Sequence, residues 1–99
     1  MRIIVRKALR EFWEQPKYAD SKEPLEAWHY EVKKAEWDNP ADIKAKYCNA
    51  SILKNNQVVF NIAGNKYRLV VEIKYVRGIV YIRFIGTHKQ YNKIDAEKI

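Results

Sequence analysis

Apolar positions follow one rhythm in the first half of the chain and another in the second. Met1-Arg2-Ile3-Ile4-Val5 is a short β-branched run and predicts a buried strand. Leu9, Phe12 and Trp13 then fall at i, i+3 and i+4 with Arg6, Lys7, Arg10 and Glu11 around them, the pattern of an amphipathic helix. Pro16 stops it, because proline has no N–H to continue the ladder. Leu25, Trp28, Val32 and Ala35 mark one face of a second helix, with Glu26, Lys33 and Lys34 opposite. Ser21 is its predicted cap, and Glu23 complements the dipole of its first turn. The two helices read as an αα-hairpin. Asn39-Pro40-Ala41-Asp42 opens a third, short helix over about residues 40–46, with a capping Asn and Pro at the first helical position.

From Asn55-Asn56, a turn signal, the period becomes two. Val58, Phe60 and Ile62 alternate with Val59 and Asn61. Gly64-Asn65 reads as a two-residue hairpin turn. Tyr67, Leu69, Val71, Ile73 and Tyr75 then face one way, and Lys66, Arg68, Val70, Glu72 and Lys74 the other. Arg77-Gly78 is the next turn, residues 79–85 form an apolar central strand, Gly86 ends it, and THKQYNKI starts a short helix or tail. Helices clustered before an antiparallel meander indicate an α+β domain with the helices on one face. The other face, holding Asn61, Arg68 and Arg83, is expected to be open to solvent or ligand.

Length and charge sharpen this picture. Ninety-nine residues suit a single domain, here 1–99. Cys48 is the one cysteine, so no internal disulfide is available, and it is expected to be an ordinary half-buried thiol. The opening residues lack a charged-then-apolar leader and no apolar run approaches membrane-spanning length, so a cytoplasmic, membrane-free protein is the expectation. The formal net charge is +7, and it is uneven. Residues 1–50 carry ten Lys/Arg and nine Asp/Glu, whereas residues 51–94 carry eight Lys/Arg and one acid, Glu72. A stretch so poor in acids suggests a polyanion partner, RNA or DNA. A solvated basic face or an acidic protein partner would account for the same charge.

Several chemistries lack their residues. There is no Cys/His cluster at zinc spacing, no phosphate-cradling glycine loop, no Gly-flanked serine elbow, and too few carboxylates in the second half for a two-metal nuclease. No metal or cofactor is therefore expected. What remains is His88, Lys89 and Tyr91 directly after the last strand, with Lys66 and Arg68 on the middle strand and Arg83 in the last. RNA brings its own nucleophile, the 2′-hydroxyl. Cleavage then needs groups to take and return a proton, and cations for the phosphorane. Imidazole suits the first task, arginine's planar fork the second, and tyrosine can stack on a base or donate a proton. Each residue also has a structural reading: His88 bonding a loop carbonyl, Arg68 solvated on its strand, Tyr91 closing the core edge, and Lys66, Arg83 and Lys89 as surface charges. His29 reads as a surface or boundary residue, and Trp13, Trp28 and Trp37 as core or partner-facing.

The segments Val58-Val59-Phe60-Asn61-Ile62-Ala63-Gly64-Asn65-Lys66-Tyr67-Arg68-Leu69, Tyr81-Ile82-Arg83-Phe84 and Thr87-His88-Lys89-Gln90-Tyr91 closely resemble the HigB toxin family of the RelE-like superfamily. Leu9-Arg10-Glu11-Phe12-Trp13 and Asn39-Pro40-Ala41-Asp42-Ile43-Lys44 also fit. The resemblance implies a β-α-α-β-β-β order and an endoribonuclease that cuts mRNA, usually on the translating ribosome. It also implies a helix-turn-helix, HigA-like antitoxin, through which alone the toxin reaches DNA. By position, Arg68 matches the family's phosphate-binding arginine, and His88 and Tyr91 fall in the segment that supplies catalytic groups. The chain departs from RelE in having Asn61 as the only polar residue of its Val58–Ile62 strand, and His88 where RelE has an arginine. The expectation is a metal-independent mRNA endonuclease with Arg68, His88 and Tyr91 catalytic and Asn61, Lys66, Arg83 and Lys89 on RNA. A non-catalytic RNA- or ribosome-binding module is the alternative, and a DNA-binding regulator fits less well because no recognition-helix pair is visible.

Overall fold

The period-two segments pair into one sheet, and the period-3.6 segments cover one side of it. A computed structural model describes residues 1–99 throughout. The strands are β1 (Arg2–Ile4), β2 (Ser51–Ile52), β3 (Gln57–Ile62), β4 (Tyr67–Lys74) and β5 (Ile79–Thr87), and the helices α1 (Lys7–Trp13), α2 (Lys22–Lys34), α3 (Pro40–Lys46) and α4 (His88–Tyr91). The sheet order is β1-β5-β4-β3-β2. Strands β2 to β5 pair antiparallel, and β1 joins the far edge of β5 in parallel. The architecture is thus the α+β one expected, with a parallel edge strand added. No helix is long and apolar enough to cross a membrane.

Both faces of the sheet are used. Leu9 and Phe12 of α1, Leu25, Trp28 and Val32 of α2 and Ile43 of α3 bury against Phe60, Leu69, Val71, Ile73, Val80 and Ile82. Phe60 is the aromatic hub, 5.4 Å from Trp28, 6.1 Å from Trp37 and 5.1 Å from Tyr47 between ring centroids. Trp28 and Trp37 are core residues and Trp13 is half-buried. The opposite face is not fully open. Val59, Val70 and Phe84 make its centre apolar, and the residues after α4 fold back over it. Ala96 buries against Val59 and Val70, with Leu53, Phe84 and Tyr91 around it. The side-chain amide of Gln57 holds this tail by donating to the Ile99 carbonyl at 2.8 Å. Only the ends of that face, at Asn61–Arg68 and near Arg83, stay polar.

Local details depart from the pattern for identifiable reasons. Ser21 precedes α2 but does not cap it. Its hydroxyl donates to the Tyr18 carbonyl at 2.6 Å, inside a 3₁₀ turn spanning Pro16–Ser21. Asn39 does cap α3, accepting from the Asp42 N–H at 3.2 Å. The β3–β4 connection has four residues, Ala63 to Lys66, because Ile62 pairs with Tyr67. Ala63 and Gly64 supply its positive φ, so Gly64-Asn65 is not a two-residue turn and Lys66 stands before the strand, not on it. Gly86 lies inside β5 rather than ending it, since a side chain there would press into Phe84 and Gln90. The opening strand is a half-buried edge, and Cys48 is exposed.

Asp20, in the 3₁₀ turn, ties the helical layer to the β3–β4 loop by accepting from both Lys66 Nζ and the Tyr67 hydroxyl. Tyr67 in turn packs edge-on against Phe12 and Tyr18. The hydrogen bond from Lys66, then that from Tyr67, holds the Asp20 carboxyl below the ordinary aspartate value of 3.8. A carboxylate lowered in this way stabilises the fold above its unfolded value, and that contribution disappears as pH falls through the folded one. Urea titrations should therefore find Asp20→Asn less stable than the parent at pH 7, with the gap closing below the ordinary aspartate value of 3.8. Phe60→Ala should cost about 3–5 kcal/mol, while Asn61→Ala, one residue along on the exposed face, should stay within about 0.5 kcal/mol of the parent.

Candidate active site

The β4–β5 register builds the site. Arg68 stands opposite Asn61 on one side and Gly86 on the other. Tyr67 pairs with Thr87, so Lys66 and His88 leave the sheet at the same end. Thr87 is the N-cap of α4 and closes a capping box: its hydroxyl accepts from the Gln90 N–H at 3.1 Å, and the Gln90 side chain accepts from the Thr87 N–H at 2.8 Å. Two of the helix's unpaired N–H donors are satisfied this way. The Gln90 amide also donates to the Tyr18 hydroxyl at 3.3 Å, bracing α4 against the helical layer. His88 thus begins a fixed turn, and Tyr91 ends it against the sheet.

Arg68 and Tyr91 are brought together. The Arg68 guanidinium carbon lies 5.9 Å from the Tyr91 ring centroid, within cation–π range. One guanidinium N–H is spent on Asn65 Oδ1 at 2.6 Å, which orients the group. That is its only side-chain hydrogen bond, so the rest of its five-donor fork stays available. Asn61, His88 and Lys89 are exposed and form no ion pair. The arrangement offers an oriented guanidinium, an aromatic ring, an imidazole, an ammonium and an amide at one end of the sheet.

Two candidate residues are differently placed. Lys66 is paired with Asp20, and its ammonium is held above the usual lysine range by that hydrogen bond. Its charge is neutralised unless a stronger anion displaces the carboxylate. Arg83 is paired with Glu72 and lies over the Tyr81 ring at 5.3 Å. The hydrogen bonds from Arg83 and then Lys74 hold the Glu72 carboxyl below the usual glutamate range. The pair of buried Val70 with half-buried Phe84 lies between Arg83 and Arg68, so Arg83 does not join the group around Arg68. No three His, Cys, Asp or Glu side chains gather anywhere in the fold.

Three supporting residues escaped the reading of the sequence. Gln90 had a legible signal, the Thr-x-x-Gln spacing of a capping box. Asn65 and Asp20 had none, because each acts on a residue that only the folded loop brings near.

A family model described as HigB toxin, RelE-like toxic component of a toxin-antitoxin system, matches residues 21–94. The chain is 32% identical over 98 residues to the mRNA interferase toxin HigB of Escherichia coli strain K12, covering 97% of this chain and 92% of that protein. The mRNA interferase HigB proteins of Escherichia coli O157:H7 and Shigella flexneri are similar to the same extent. On these matches the chain belongs to the HigB toxin family, the RelE-like toxic components of toxin-antitoxin systems.

Proposed function

We propose that residues 1–99 form one toxin domain that cleaves mRNA in the cytoplasm, on the translating ribosome, without a metal. The observation that carries this reading is Arg68, oriented by Asn65 and set beside Tyr91 at the sheet end from which His88 departs. The names of the relatives, mRNA interferases, supply the substrate class. In the proposed reaction the 2′-hydroxyl oxygen attacks the adjacent phosphorus and the bond to the 5′-oxygen breaks. The products are a 2′,3′-cyclic phosphate and a free 5′-hydroxyl. Arg68 stabilises the phosphorane by charge-assisted hydrogen bonds to its oxygens. His88 moves the proton as acid or base. Tyr91 stacks on or orients the nucleotide. Asn61 and Lys89 contact the strand, Lys66 joins when phosphate displaces Asp20, and Arg83 contacts RNA farther along. A HigA-like helix-turn-helix antitoxin holds the toxin in check and is its only route to DNA.

Primer extension on mRNA after induction tests the reading. The parent should generate defined 5′ ends inside coding regions. His88→Ala should lower cleavage by about 10²–10⁴-fold, with an unfolding midpoint near the parent's because His88 is exposed, and Arg68→Ala should lower it by about 10²–10³-fold. Cleavage and growth arrest at parental strength in folded His88→Ala would remove its catalytic role. Intact mRNA with stalled synthesis would instead indicate blockage by occupancy. Gly86→Ala, which pushes on Gln90 and Phe84, should weaken cleavage more than it weakens RNA binding, as separate kcat and KM values would report.

A further inference from the structure

The opposite end of the sheet holds a second concentration of positive charge. A groove of about 800 Å³ opens between β1, the end of α2 and the β4–β5 turn. Arg2, Arg6, Lys33 and Arg77 line it. Glu36 and Asp38 line it too, yet none of the four cations pairs with either. Five cations elsewhere, Lys46, Lys66, Lys74, Arg83 and Lys98, do find carboxylates. Nor do the side chains of these four residues donate a hydrogen bond within the chain. Arg68 and Tyr75 are seven strand residues apart, roughly 23 Å along β4, so the groove and the Arg68 site are separate places.

The Tyr75 hydroxyl, on the groove lining, is buried and has no hydrogen-bond partner. Buried hydroxyls are seldom left so without a cause. Burial also raises the Tyr75 pKa, which keeps the group a donor. His29, between Arg6 and Lys33, has its pKa lowered by burial first and then by those two charges, a sign of positive potential. The cationic lining continues past this groove. An adjoining depression shares Arg6, His29 and Lys33 and adds Trp13, Glu26 and Tyr30, and a third adds Lys7 and Arg10 beside Arg6 and Trp13. Tyr30 is 61% exposed. Trp13 is half-buried and Lys34 lies over the Tyr30 ring at 4.1 Å, so it is the unpaired cations that suit a phosphate group.

We propose that this groove is a second phosphate-binding site, taking either the phosphodiester of single-stranded RNA or the phosphate of a smaller phosphorylated ligand. Arg6 and Lys33 grip the phosphate, and Arg77 closes the groove from the turn. The cleavage reading does not depend on it, since loss of either site leaves the other intact.

The test uses the full chain and two phosphate probes, a 2′-O-methyl RNA dodecamer, which cannot be cut, and inorganic pyrophosphate, with polyglutamate as a third, phosphate-free polyanion. In fluorescence anisotropy the Arg6→Ala/Lys33→Ala variant should bind the dodecamer about tenfold more weakly, with a salt slope smaller by about two. Arg77→Glu, at an exposed turn, should weaken it as well. The NMR signal of the His29 imidazole should move on titration of the parent and of Arg68→Ala alike. Movement with RNA alone identifies a nucleic-acid strand, and movement with pyrophosphate identifies a smaller ligand. Both outcomes support the site. Parental affinity and slope in the folded double variant and in Arg77→Glu, or a His29 signal that neither probe moves, would overturn it. So would movement only with polyglutamate, which would reassign the groove to an acidic protein.

Discussion

The pairing of β4 with β5 is the constraint on which the candidate active site rests. Side chains on a strand alternate faces, so a one-residue slip would turn Arg68 into the helical core and Leu69 out to solvent. The native register instead puts Arg68 beside Gly86 and Tyr67 beside Thr87. A cation on one strand and the start of α4 on the next are thereby delivered to one place. Burial of Leu69, Val71 and Ile73 under the helices enforces that choice, because any slipped pairing exposes them.

The second use of the sheet follows from the same alternation. Val59, Val70 and Phe84 point away from the helices and are too apolar to face water as a group. The tail covers them, and in doing so keeps Tyr91 against Arg68. Stability and site geometry thus share a cause: the contacts that dry the outer face also hold the aromatic ring beside the guanidinium. A register irregularity at Val70/Val71 sits at this same point of the β4–β5 pair and gives Arg83 its own place beside Glu72.

Charge in this fold is sorted by whether an acid is within reach. Counting residues suggested an almost uniformly cationic second half, but Asp20 pairs with Lys66, and Arg83 and Lys74 share Glu72. Among the cations without a carboxylate partner, Arg68 and Lys89 stand at one end of the sheet and Arg2, Arg6, Lys33 and Arg77 line the groove at the other. Binding a phosphate at either end replaces water around these groups without first breaking an ion pair, which makes them the natural places for a polyanion.

Most of the element order was legible because period alone separates helix from strand. Leu25, Trp28 and Val32 announce α2, and the alternation from Tyr67 to Lys74 announces β4 with its inward and outward faces correctly sorted. Asn39-Pro40 announced α3 because a capping side chain and a fixed φ act within a few residues. Tertiary structure decided whatever depends on partners distant in the chain. It chose the parallel seat of β1 on β5, the fold-back of the tail over Val59 and Val70, the Asp20 tether to Lys66, and Ser21's hydrogen bond to Tyr18 in place of a cap. The physical reason is range: local patterns encode hydrogen bonds and burial within one element, whereas the proximity of Arg68 to Tyr91 or Lys66 to Asp20 exists only once the layers have packed.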